Sequence, residues 1–252
     1  MSNASIAVPL RPHPEFREYY GTGQRKHDFL RDIFNETAAD YDRVERVLAL
    51  GTGRWYRRQA LRRAGLVSGM KLLDVATGTG LVAREAIDLV GATGRVIGVD
   101  PSFGMIGQAR SLAGLTPVLG FGESLPFASH QFDFVSMGYA LRHLPDLRAA
   151  FAEFHRMLKP GGRLCVLEIS RPAGRFQTLL LAGYFRLLLP IFARVLQASN
   201  QTHRLWRYYW DTIDQCVPPG VLMQAIRDAG FDDVKREVSL GVFSEYTGTR
   251  NA

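Results

Sequence analysis

From Lys71 onward, short apolar runs alternate with segments whose apolar residues recur at helical spacing. The apolar runs predict five strands, KLLDVAT, RVIGVD, TPVLGF, FDFVSMGY and RLCVLEIS. Between them, the spacing predicts helices over residues 81–90, 103–112 and 146–158, the last ended by the stop signal KPGG. Strands that are apolar on both faces and alternate with helices are typical of a parallel, doubly wound sheet. The pattern therefore predicts an α/β fold.

The segments on either side of this alternation have different patterns. Residues 1–24 contain several prolines and predict an irregular, loose arm, and residues 25–65 predict a helical lid with a stop signal at Gly51. After the fifth strand the alternation breaks, and residues 172–216 predict a helical insertion at the edge where such sheets bind ligands. A further helix and two strand-like runs, DVKREVSLG and FSEYTGTR, bring the mostly parallel sheet to seven strands in one domain, residues 25–252.

Composition and charge are those of an ordinary globular chain. Its 252 residues are 46% hydrophobic, which is enough for one sizeable core, and its formal net charge is +7. The densest basic cluster lies between Arg54 and Arg63, where helical spacing favours a solvated face over a phosphate-binding surface. Cys165 and Cys216 lack metal-ligand spacing, and the N-terminus lacks the apolar run of a signal peptide. We expect a cytoplasmic protein without a metal site.

A glycine-rich turn, Ala76-Thr77-Gly78-Thr79-Gly80, follows the first predicted strand. In open α/β sheets, ligands bind outside the carboxyl ends of the strands, and glycines let the backbone approach them closely. A phosphate-binding loop needs Lys followed by Ser or Thr after the second glycine, but Leu-Val stands here, which excludes ordinary nucleotide hydrolysis. Ala83 takes the third glycine position of a dinucleotide fingerprint, so the turn alone does not decide the ligand.

Two carboxylates favour a cationic, ribose-containing ligand. Asp74 lies inside the first strand, where a buried carboxylate is costly without partners; it suits the methionyl ammonium of S-adenosylmethionine better than a pyrophosphate. Asp100 ends the second strand, about twenty residues after the glycines, where a carboxylate accepts hydrogen bonds from ribose hydroxyls. The alternative for Asp100 is a helix N-terminal signal with the following Pro101 and Ser102. Together the two residues favour S-adenosyl-L-methionine as the cofactor.

Several further stretches carry a family resemblance: IFNETAADYD, LLDVATGTG, ESLPFASHQFDFV, ALRHLPD, FHRMLKPGGRLCVLEIS and RYYWDTI. With these stretches the chain resembles the UbiE-like C-methyltransferases of ubiquinone and menaquinone biosynthesis. That family belongs to the class I S-adenosylmethionine-dependent methyltransferases, which have a Rossmann-like fold. The resemblance covers the chain from about Phe34 to the C-terminus.

The resemblance implies roles for residues at matching positions. The glycine turn and Asp74 would hold the methionyl part and Asp100 the ribose, while Arg142 would approach the reacting quinol ring and Tyr41 would belong to the lid. The predicted catalytic residues are Arg142, His143 and Tyr41. The predicted cofactor-binding residues are Asp74, Ala76, Thr77, Gly78, Thr79, Gly80, Asp100, Pro101, Met105, Phe121, Gly122, Glu123 and Gly138.

The chain departs from the family pattern mainly around the acceptor. Phe121 stands where the family has Asn or Asp for the adenine amine, so we expect its ring against the adenine face and a polar contact from the Gly122 backbone. Gly138 replaces a small hydroxyl residue, and His143 replaces an asparagine. The family's Asp-x-x-Asn becomes Asp42-Arg43-Val44-Glu45. These departures leave the identity of the acceptor open.

The chemistry of a phenolic acceptor requires a base and charge stabilisation. His143 is a candidate base by its ordinary pKa and its place after the fourth strand, although a capping or surface histidine is an equal alternative. Arg142 is a poor base but stabilises a developing phenolate. The aromatic run at 206–210 either walls an aromatic acceptor or belongs to the core. Residues 179–196 cap the site, bind a prenyl or acyl tail, or rest on a bilayer surface.

These observations predict an S-adenosylmethionine-dependent methyltransferase that acts on a lipophilic or aromatic small molecule, with C-methylation of a prenylated quinol as the first candidate. Phospholipid N-methylation and O- or N-methylation of a natural product are alternatives. A nucleic-acid methyltransferase is disfavoured, because no RNA-binding module or stacking-plus-basic motif is present. A non-catalytic S-adenosylmethionine binder also ranks lower. We expect no nucleic-acid partner, and peripheral contact with the inner membrane surface is one option; the oligomeric state stays open.

Overall fold

The alternating region forms one seven-stranded sheet in the computed structural model, which describes residues 8–21, 24–48, 51–189, 191 and 200–251. The strand order is β3-β2-β1-β4-β5-β7-β6; the pairs from β3 to β5 are parallel, and β7 is antiparallel to both its neighbours. The predicted α/β fold with a mostly parallel sheet is confirmed. The strands are β1 (Lys71–Val75), β2 (Arg95–Asp100), β3 (Leu115–Leu119), β4 (Phe132–Gly138), β5 (Leu158–Ile169), β6 (Phe231–Ser239) and β7 (Phe243–Arg250).

Helices connect and cover the strands. A 3-10 turn, Leu141–His143, precedes α6, and a π-helical turn, Tyr184–Leu188, follows α7. Helix α4 begins and ends where the sequence predicted, and Asp146 caps α6 by accepting a hydrogen bond from the Arg148 N–H at 3.0 Å. The helices are α1 (Arg17–Tyr20), α2 (Gln24–Leu48), α3 (Gly53–Arg63), α4 (Leu81–Val90), α5 (Phe103–Ala109), α6 (Leu147–Met157), α7 (Arg175–Gly183), α8 (Asn200–Asp214) and α9 (Pro219–Asp228).

The core lies on both faces of the sheet, as expected for strands that are apolar on both sides. On one face, α6 and α9 bury residues such as Phe151, Phe154 and Ile226 against the strands. On the other face, α3 and α4 contribute Leu61 and Val82. The order of strands reverses between β1 and β4, because β1 leads to β2 on one side while β4 pairs on the other. Ligands bind at such a point in doubly wound sheets.

Two local predictions differ from the structure. The KPGG signal ends α6 at Met157 as expected, but the chain enters the sheet at once, and those four residues already belong to β5. Their register to β4 is irregular, because Phe132 pairs with Leu158 whereas Phe134 pairs with Arg163. The α3 arginines are not simply solvated but pair with acids of neighbouring elements: Arg54 with Glu85 at 2.7 Å, Arg57 with Glu45 at 2.6 Å, Arg58 with Asp88 at 3.0 Å and Arg63 with Glu245 at 2.5 Å.

The N-terminal arm is irregular over residues 8–16, as expected, but it is not loose. Phe16, Tyr19 and Tyr20 are buried and pack against Tyr208 of α8. Prolines restrict the backbone without excluding tertiary packing, which is why the sequence pattern was misleading here. Part of the predicted arm, residues 1–7, and part of the predicted insertion, residues 190 and 192–199, lie outside the described residues.

Candidate active site

The glycine turn after β1 has the backbone conformations that its sequence requires. Gly78 and Gly80 have φ angles of 58° and 90°, in the left-handed region that favours glycine. A Cβ built on Gly78 would meet nothing within 4 Å, so the turn leaves open space at this residue. The N–H of Gly78 donates to Asp100 Oδ2 at 2.9 Å, which ties the turn to the end of β2.

Asp100 lies at the centre of this strand edge. Its second carboxylate oxygen accepts the N–H of Ser102 at 2.9 Å, and the side chain is buried. Ser102, rather than Asp100, caps α5 by accepting from the Met105 N–H at 3.1 Å. Burial raises the pKa of Asp100 to about 6. Each carboxylate oxygen has a second lone pair, so Asp100 can accept two further hydrogen bonds from ribose hydroxyls.

Asp74 is buried inside β1, just before the glycine turn. Its two carboxylate oxygens accept the hydroxyls of Thr77 and Ser136, each at 2.7 Å, and burial raises its pKa to about 6. Asp74 is absent from the described lining of the cavity in front of the turn. This placement indicates that Asp74 orients Thr77 and Ser136, whereas the sequence had suggested direct contact with a ligand ammonium.

A cavity of about 120 Å³ lies in front of the turn, and we call it the smaller cavity. Two of the three predicted catalytic residues, Tyr41 and His143, line it, but Arg142 does not. Phe121 is 46% exposed at its rim, so one face of the ring is available to a flat ligand. The predicted cofactor residues that line it are Ala76, Gly78, Asp100, Pro101, Met105, Phe121, Gly122, Glu123 and Gly138, while Asp74, Thr77, Thr79 and Gly80 lie outside the lining.

The residues of the smaller cavity fit S-adenosylmethionine. A buried carboxylate with free lone pairs suits ribose hydroxyls, and a half-exposed aromatic ring beside a backbone segment suits a purine. The open space at Gly78 lets the backbone approach the ligand. Within the described ranges, no three His, Cys, Asp or Glu side chains are grouped as a metal site requires.

One departure from the family pattern has a steric explanation. A Cβ built on Gly138 would lie 2.5 Å from Val82 Cγ2, closer than real Cβ contacts allow. A serine at this position therefore requires Val82 to move. Val82 is buried at the start of α4 and fills the volume that a small hydroxyl residue would otherwise need.

Helix α2 closes the site from the N-terminal side through contacts that the sequence did not reveal. Asn35 Oδ1 accepts the Ser102 hydroxyl at 2.7 Å and the Gly104 N–H at 2.9 Å. About two turns further along, Asp42 Oδ1 accepts the Thr79 hydroxyl at 2.5 Å. These two contacts hold α2 across the ends of β1 and β2. Asn35 belongs to the family-like stretch IFNETAADYD, which was the one signal that pointed to it.

His143 lines the smaller cavity, and both of its ring nitrogens are buried without hydrogen-bond partners. The ring stacks on Tyr208 and Tyr209, with centroids 5.6 and 5.8 Å away, and meets the edge of Phe34. Burial holds its pKa well below the ordinary 6.5, and the nearby charges of Arg142 and Lys26 act in the same direction. A neutral imidazole with unpaired nitrogens can accept or donate one hydrogen bond to a ligand.

Arg142 does not line the smaller cavity but lines the larger cavity next to it, where it is almost fully buried. Its Nε donates to Glu168 Oε1 at 2.9 Å, and its Nη1 donates to the Thr212 hydroxyl at 2.7 Å and the Tyr209 carbonyl at 3.3 Å. Both side chains of the ion pair are 1% exposed. These contacts connect the end of β4 to β5 and α8. In this arrangement Arg142 holds the carbonyl of Tyr209 and so supports the wall of the site.

A second cavity of about 500 Å³ adjoins the first, and we call it the larger cavity. Tyr41, Tyr139 and Tyr209 line both cavities, and the Tyr41 and Tyr209 hydroxyl oxygens are 3.4 Å apart. The rest of its lining is mainly apolar and aromatic. From the aromatic run at 206–210, Trp206 and Tyr209 line it, while Tyr208 and Trp210 are core residues. The core interpretation holds for Tyr208 and Trp210, whereas the wall around an acceptor stays a prediction for Trp206 and Tyr209.

Tyr139, at the junction of the two cavities, was missed by the sequence reasoning. It has a φ angle of 60°, which is uncommon for a bulky residue, and its N–H donates to the Leu167 carbonyl at 2.7 Å. Burial raises the pKa of its hydroxyl. The strained backbone turns the chain from β4 into the 3-10 turn. No local residue pattern signals this conformation.

The insertion contributes one wall of the larger cavity. Leu181, Tyr184 and Phe185 line it, while Leu179, Leu180 and Leu187 on the other side of the segment are exposed. Among the described residues, no helix combines the length and the apolar character needed to cross a bilayer.

Comparisons with known proteins agree with this geometry. The model of the ubiE/COQ5 methyltransferase family matches residues 22–250. A demethylmenaquinone methyltransferase of Geobacillus kaustophilus is 32% identical over 234 residues, which cover 89% of this chain and 98% of the relative. The ubiquinone/menaquinone biosynthesis C-methyltransferase UbiE of Geobacter sulfurreducens is 30% identical over 233 residues, which cover 89% and 90%.

A crystal structure of a SAM-dependent methyltransferase from Thermotoga maritima has the same fold, with a TM-score of 0.60 and 21% identity over 88% of this chain and 100% of that one. The family match spans nearly the whole chain and confirms the resemblance, and the smaller cavity fits the cofactor. The chain therefore belongs to the ubiE/COQ5 methyltransferase family and is an S-adenosylmethionine-dependent methyltransferase.

Proposed function

We propose that this enzyme methylates a ring carbon of a quinol that carries an isoprenoid tail. The observation that carries the proposal is the pair of adjoining cavities, one at the glycine turn and one apolar and about 500 Å³ in volume. A quinol ring at their junction, between Tyr41, Tyr139 and Tyr209, reaches both. The ring then faces the cofactor while the tail occupies the larger cavity. The names of the curated relatives, which refer to demethylmenaquinone and ubiquinone, support the same substrate class.

The cofactor is held by the residues that line the smaller cavity. Asp100 accepts the ribose hydroxyls, the Phe121 ring covers the adenine, and the Gly122 backbone supplies a polar contact. Thr77, oriented by Asp74, belongs to the turn around the methionyl part. S-adenosylmethionine, when bound, supplies a sulfonium methyl group, which the acceptor carbon takes as the carbon–sulfur bond breaks.

His143 acts as the base. A quinol carbon becomes a strong nucleophile when its hydroxyl loses a proton, and His143, which lines the smaller cavity and has two unpaired ring nitrogens, is the group to accept it. After methyl transfer, the ring carbon loses its hydrogen as a proton to solvent, which restores the aromatic ring as a phenolate, and the phenolate oxygen takes back the proton from His143. Arg142 fixes the Tyr209 wall beside the ring. Alignment of the acceptor with the methyl group supplies much of the remaining rate enhancement.

The test is methyl transfer from labelled S-adenosylmethionine to a matched set of reduced acceptors: a demethylated naphthoquinol without a tail, the same ring with one to four isoprene units, and phosphatidylethanolamine. We expect KM to fall as the tail lengthens until the larger cavity is filled, because each buried methylene contributes about 0.8 kcal/mol. Transfer to the headgroup amine but not to the quinols would overturn the proposal.

A pair of variants on one helix locates the tail. Leu181→Trp fills space in the larger cavity and should raise KM for tailed quinols without affecting the tail-less ring. Leu179→Trp is the matched control, because Leu179 is 68% exposed on the same helix. Equal kinetics in the two variants would place the tail elsewhere.

We also propose that the mouth of the larger cavity rests on an anionic bilayer. Leu240 at the β6–β7 hairpin tip is 87% exposed and Trp55 is 66% exposed, yet both line the cavity, so both lie at its mouth. The start of α7 is close by, since a Cβ on Gly241 would lie 3.9 Å from Gln177 Nε2. Exposed Arg175 adds positive charge beside these apolar residues. An apolar mouth with basic neighbours suits extraction of a lipophilic acceptor from a membrane.

Liposome flotation tests this contact. The protein should float with vesicles of phosphatidylglycerol and phosphatidylcholine at low salt, and Leu240→Asp should reduce the bound fraction severalfold. Val67→Asp is the control, because Val67 is 56% exposed but lies outside the described lining of the mouth. Equal loss of binding in both variants, or no flotation of the wild type, would contradict the proposal.

A further inference from the structure

Residues 8–21 precede the range that matches the family, which begins at residue 22, and we call them the N-terminal strap. The strap is bonded to the domain at several points. The Leu10 N–H donates to Asp146 Oδ1 at 3.0 Å, and the Leu10 carbonyl accepts the Leu147 N–H at 2.9 Å. The Pro12 carbonyl accepts the Val217 N–H at 2.8 Å. The strap therefore runs from the start of α6 to the end of α8.

The remaining part of the strap packs against α8. The Tyr19 hydroxyl donates to Asp211 Oδ2 at 2.6 Å, and its ring meets Tyr208 edge to face with centroids 5.3 Å apart. Tyr208 in turn stacks on His143. The strap thus reaches the ring that supports one face of the proposed base.

His13 lies at the centre of the strap and is 3% exposed. Its Nε2 is 2.9 Å from the Arg142 carbonyl oxygen, and its Nδ1 is 2.6 Å from the Pro14 carbonyl oxygen. The ring stacks on Phe16 with centroids 4.9 Å apart. Burial lowers the pKa of His13 to about 4, and Lys26 adds to this effect, whereas the contacts with the two carbonyl oxygens act in the opposite direction. A proton on Nε2 satisfies the buried Arg142 carbonyl.

The Arg142 carbonyl and the His143 N–H belong to the same planar peptide unit. The N–H end donates to the Ala140 carbonyl at 2.9 Å, and the carbonyl end accepts from His13. Both ends of the unit are therefore held, and the plane sets the direction in which the His143 side chain leaves the backbone. An unpaired His143 ring has no hydrogen bond of its own to fix it.

We propose that His13 is a positioning residue for His143, supplied by a strap that lies outside the family match. The inference rests on the proposed role of His143 as the base. Loss of the His13 hydrogen bond frees the peptide plane of the 3-10 turn, and the His143 ring then shifts relative to Tyr208 and Tyr209. Because small displacements of a catalytic group are costly, we expect kcat to fall about tenfold or more.

Three variants test the proposal kinetically. His13→Leu removes the donor, His13→Gln keeps an N–H donor at a similar reach, and Arg17→Gln is a control on the exposed side of the same strap. We expect His13→Leu to lower kcat about tenfold or more, with the cofactor Kd and the acceptor KM within about twofold of the wild type. His13→Gln should restore most of kcat. Full activity of His13→Leu, or equal losses of kcat, cofactor affinity and Tm in the Leu and Gln variants, would overturn the proposal.

A second measurement does not depend on the acceptor. The protein has 6 histidines, and in a sample with 13C-labelled histidine the His143 signal is assigned as the one that His143→Asn removes. Stacking on two tyrosines should shift this signal by ring currents, a shift that His13→Leu reduces and His13→Gln retains. An unchanged signal in His13→Leu overturns the positioning role. If the wild type does not methylate quinols but the signal responds as expected, the proposed function fails and the positioning inference stands.

Discussion

The two cavities differ in what forms their walls. The smaller cavity is built largely from residues at or just after the ends of β1, β2, β3 and β4, among them Gly78, Asp100 and Gly138, together with side chains of α2. The larger cavity is built from side chains of α2, α3, α7, α8 and the β6–β7 hairpin, which come from distant parts of the chain. The first depends on backbone conformation at a sheet edge, and the second depends on which side chains meet.

This difference separates positions that backbone conformation constrains from positions that side-chain substitution can change. Backbone conformation at the turn tolerates few residue types, so the motif ATGTG keeps its pattern. Side-chain walls can change by substitution while the fold persists, because any apolar residue of suitable size fills the volume. Tyr41, Tyr139 and Tyr209 line both cavities. They therefore join the smaller cavity, which we call the cofactor half, to the larger cavity, which we call the acceptor half. Four predictions test whether the two cavities have separate roles.

The largest effect, on the free energy of unfolding, is expected at the buried ion pair between Arg142 and Glu168. Arg142→Ala leaves Glu168, which is 1% exposed, as an unpaired buried charge, so stability should fall by about 3–5 kcal/mol. Urea unfolding measures the loss. The double variant Arg142→Met, Glu168→Leu removes both charges and should recover much of the stability. A small loss of stability in Arg142→Ala would show that this ion pair contributes little to holding the turn after β4 against β5.

The next effect concerns the proposed base, His143, which lines the smaller cavity. His143→Asn should lower kcat about a hundredfold while the cofactor Kd stays unchanged. Because burial holds the pKa of His143 well below 6.5, the ring is already neutral at neutral pH. Wild-type turnover should therefore be level across about pH 6.5–8 and should fall only at lower pH, where the imidazole takes a proton. Turnover of His143→Asn near that of the wild type would remove His143 from the chemistry.

A comparable but smaller effect is expected in the cofactor half. Asp100→Ala should weaken S-adenosylmethionine binding by roughly 1.5–3 kcal/mol, as expected for lost hydrogen bonds to a charged acceptor. Isothermal titration calorimetry measures it, with Asp32→Ala on the exposed side of α2 as the control. Unchanged affinity in Asp100→Ala would exclude the ribose contact. If Asp100→Ala also lowers turnover at saturating cofactor, then this residue affects the acceptor as well as the cofactor.

The smallest effect is the pH dependence of cofactor binding. Burial raises the pKa of Asp100 to about 6, so the carboxyl takes up a proton as the pH falls through that value. The protonated form loses acceptor capacity, and Kd should rise by about tenfold between pH 7 and pH 5. Asp100→Asn should bind weakly with a much flatter profile. A profile as steep as that of the wild type would assign the titration to another group, such as Asp74.

Much of the cofactor half was predictable because its signals are local. The helix over 81–90 has its predicted bounds, and Asp100 at the end of β2 lies beside the glycine turn because parallel strands end at the same sheet edge. Asp74 was recognised as a buried carboxylate, but its orientation toward Ser136 depends on the pairing of β1 with β4. The sequence contains no signal for that pairing at the level of single side chains.

The acceptor half was less predictable because its contacts are not local. The sequence predicted a catalytic role for Arg142 and gave no sign of its partners Glu168 and Thr212, which come from β5 and α8. The chain around His13 suggested a loose arm, and its burial arises from contact with the 3-10 turn more than a hundred residues later. Hydrophobic periodicity reports the environment of one element and contains no information about such pairs.

By itself, the sequence determined the α/β class, the order of the strands along the chain, the glycine turn and the chemistry of a cofactor site at the strand ends. Those features follow from backbone propensities and from apolar periodicity, which act over a few residues. Only the tertiary structure decided that Tyr41, Tyr139 and Tyr209 meet between two cavities, and that the strap reaches His143. Such contacts depend on how whole helices and strands pack together, because in a close-packed interior the neighbouring elements determine the space that each side chain occupies.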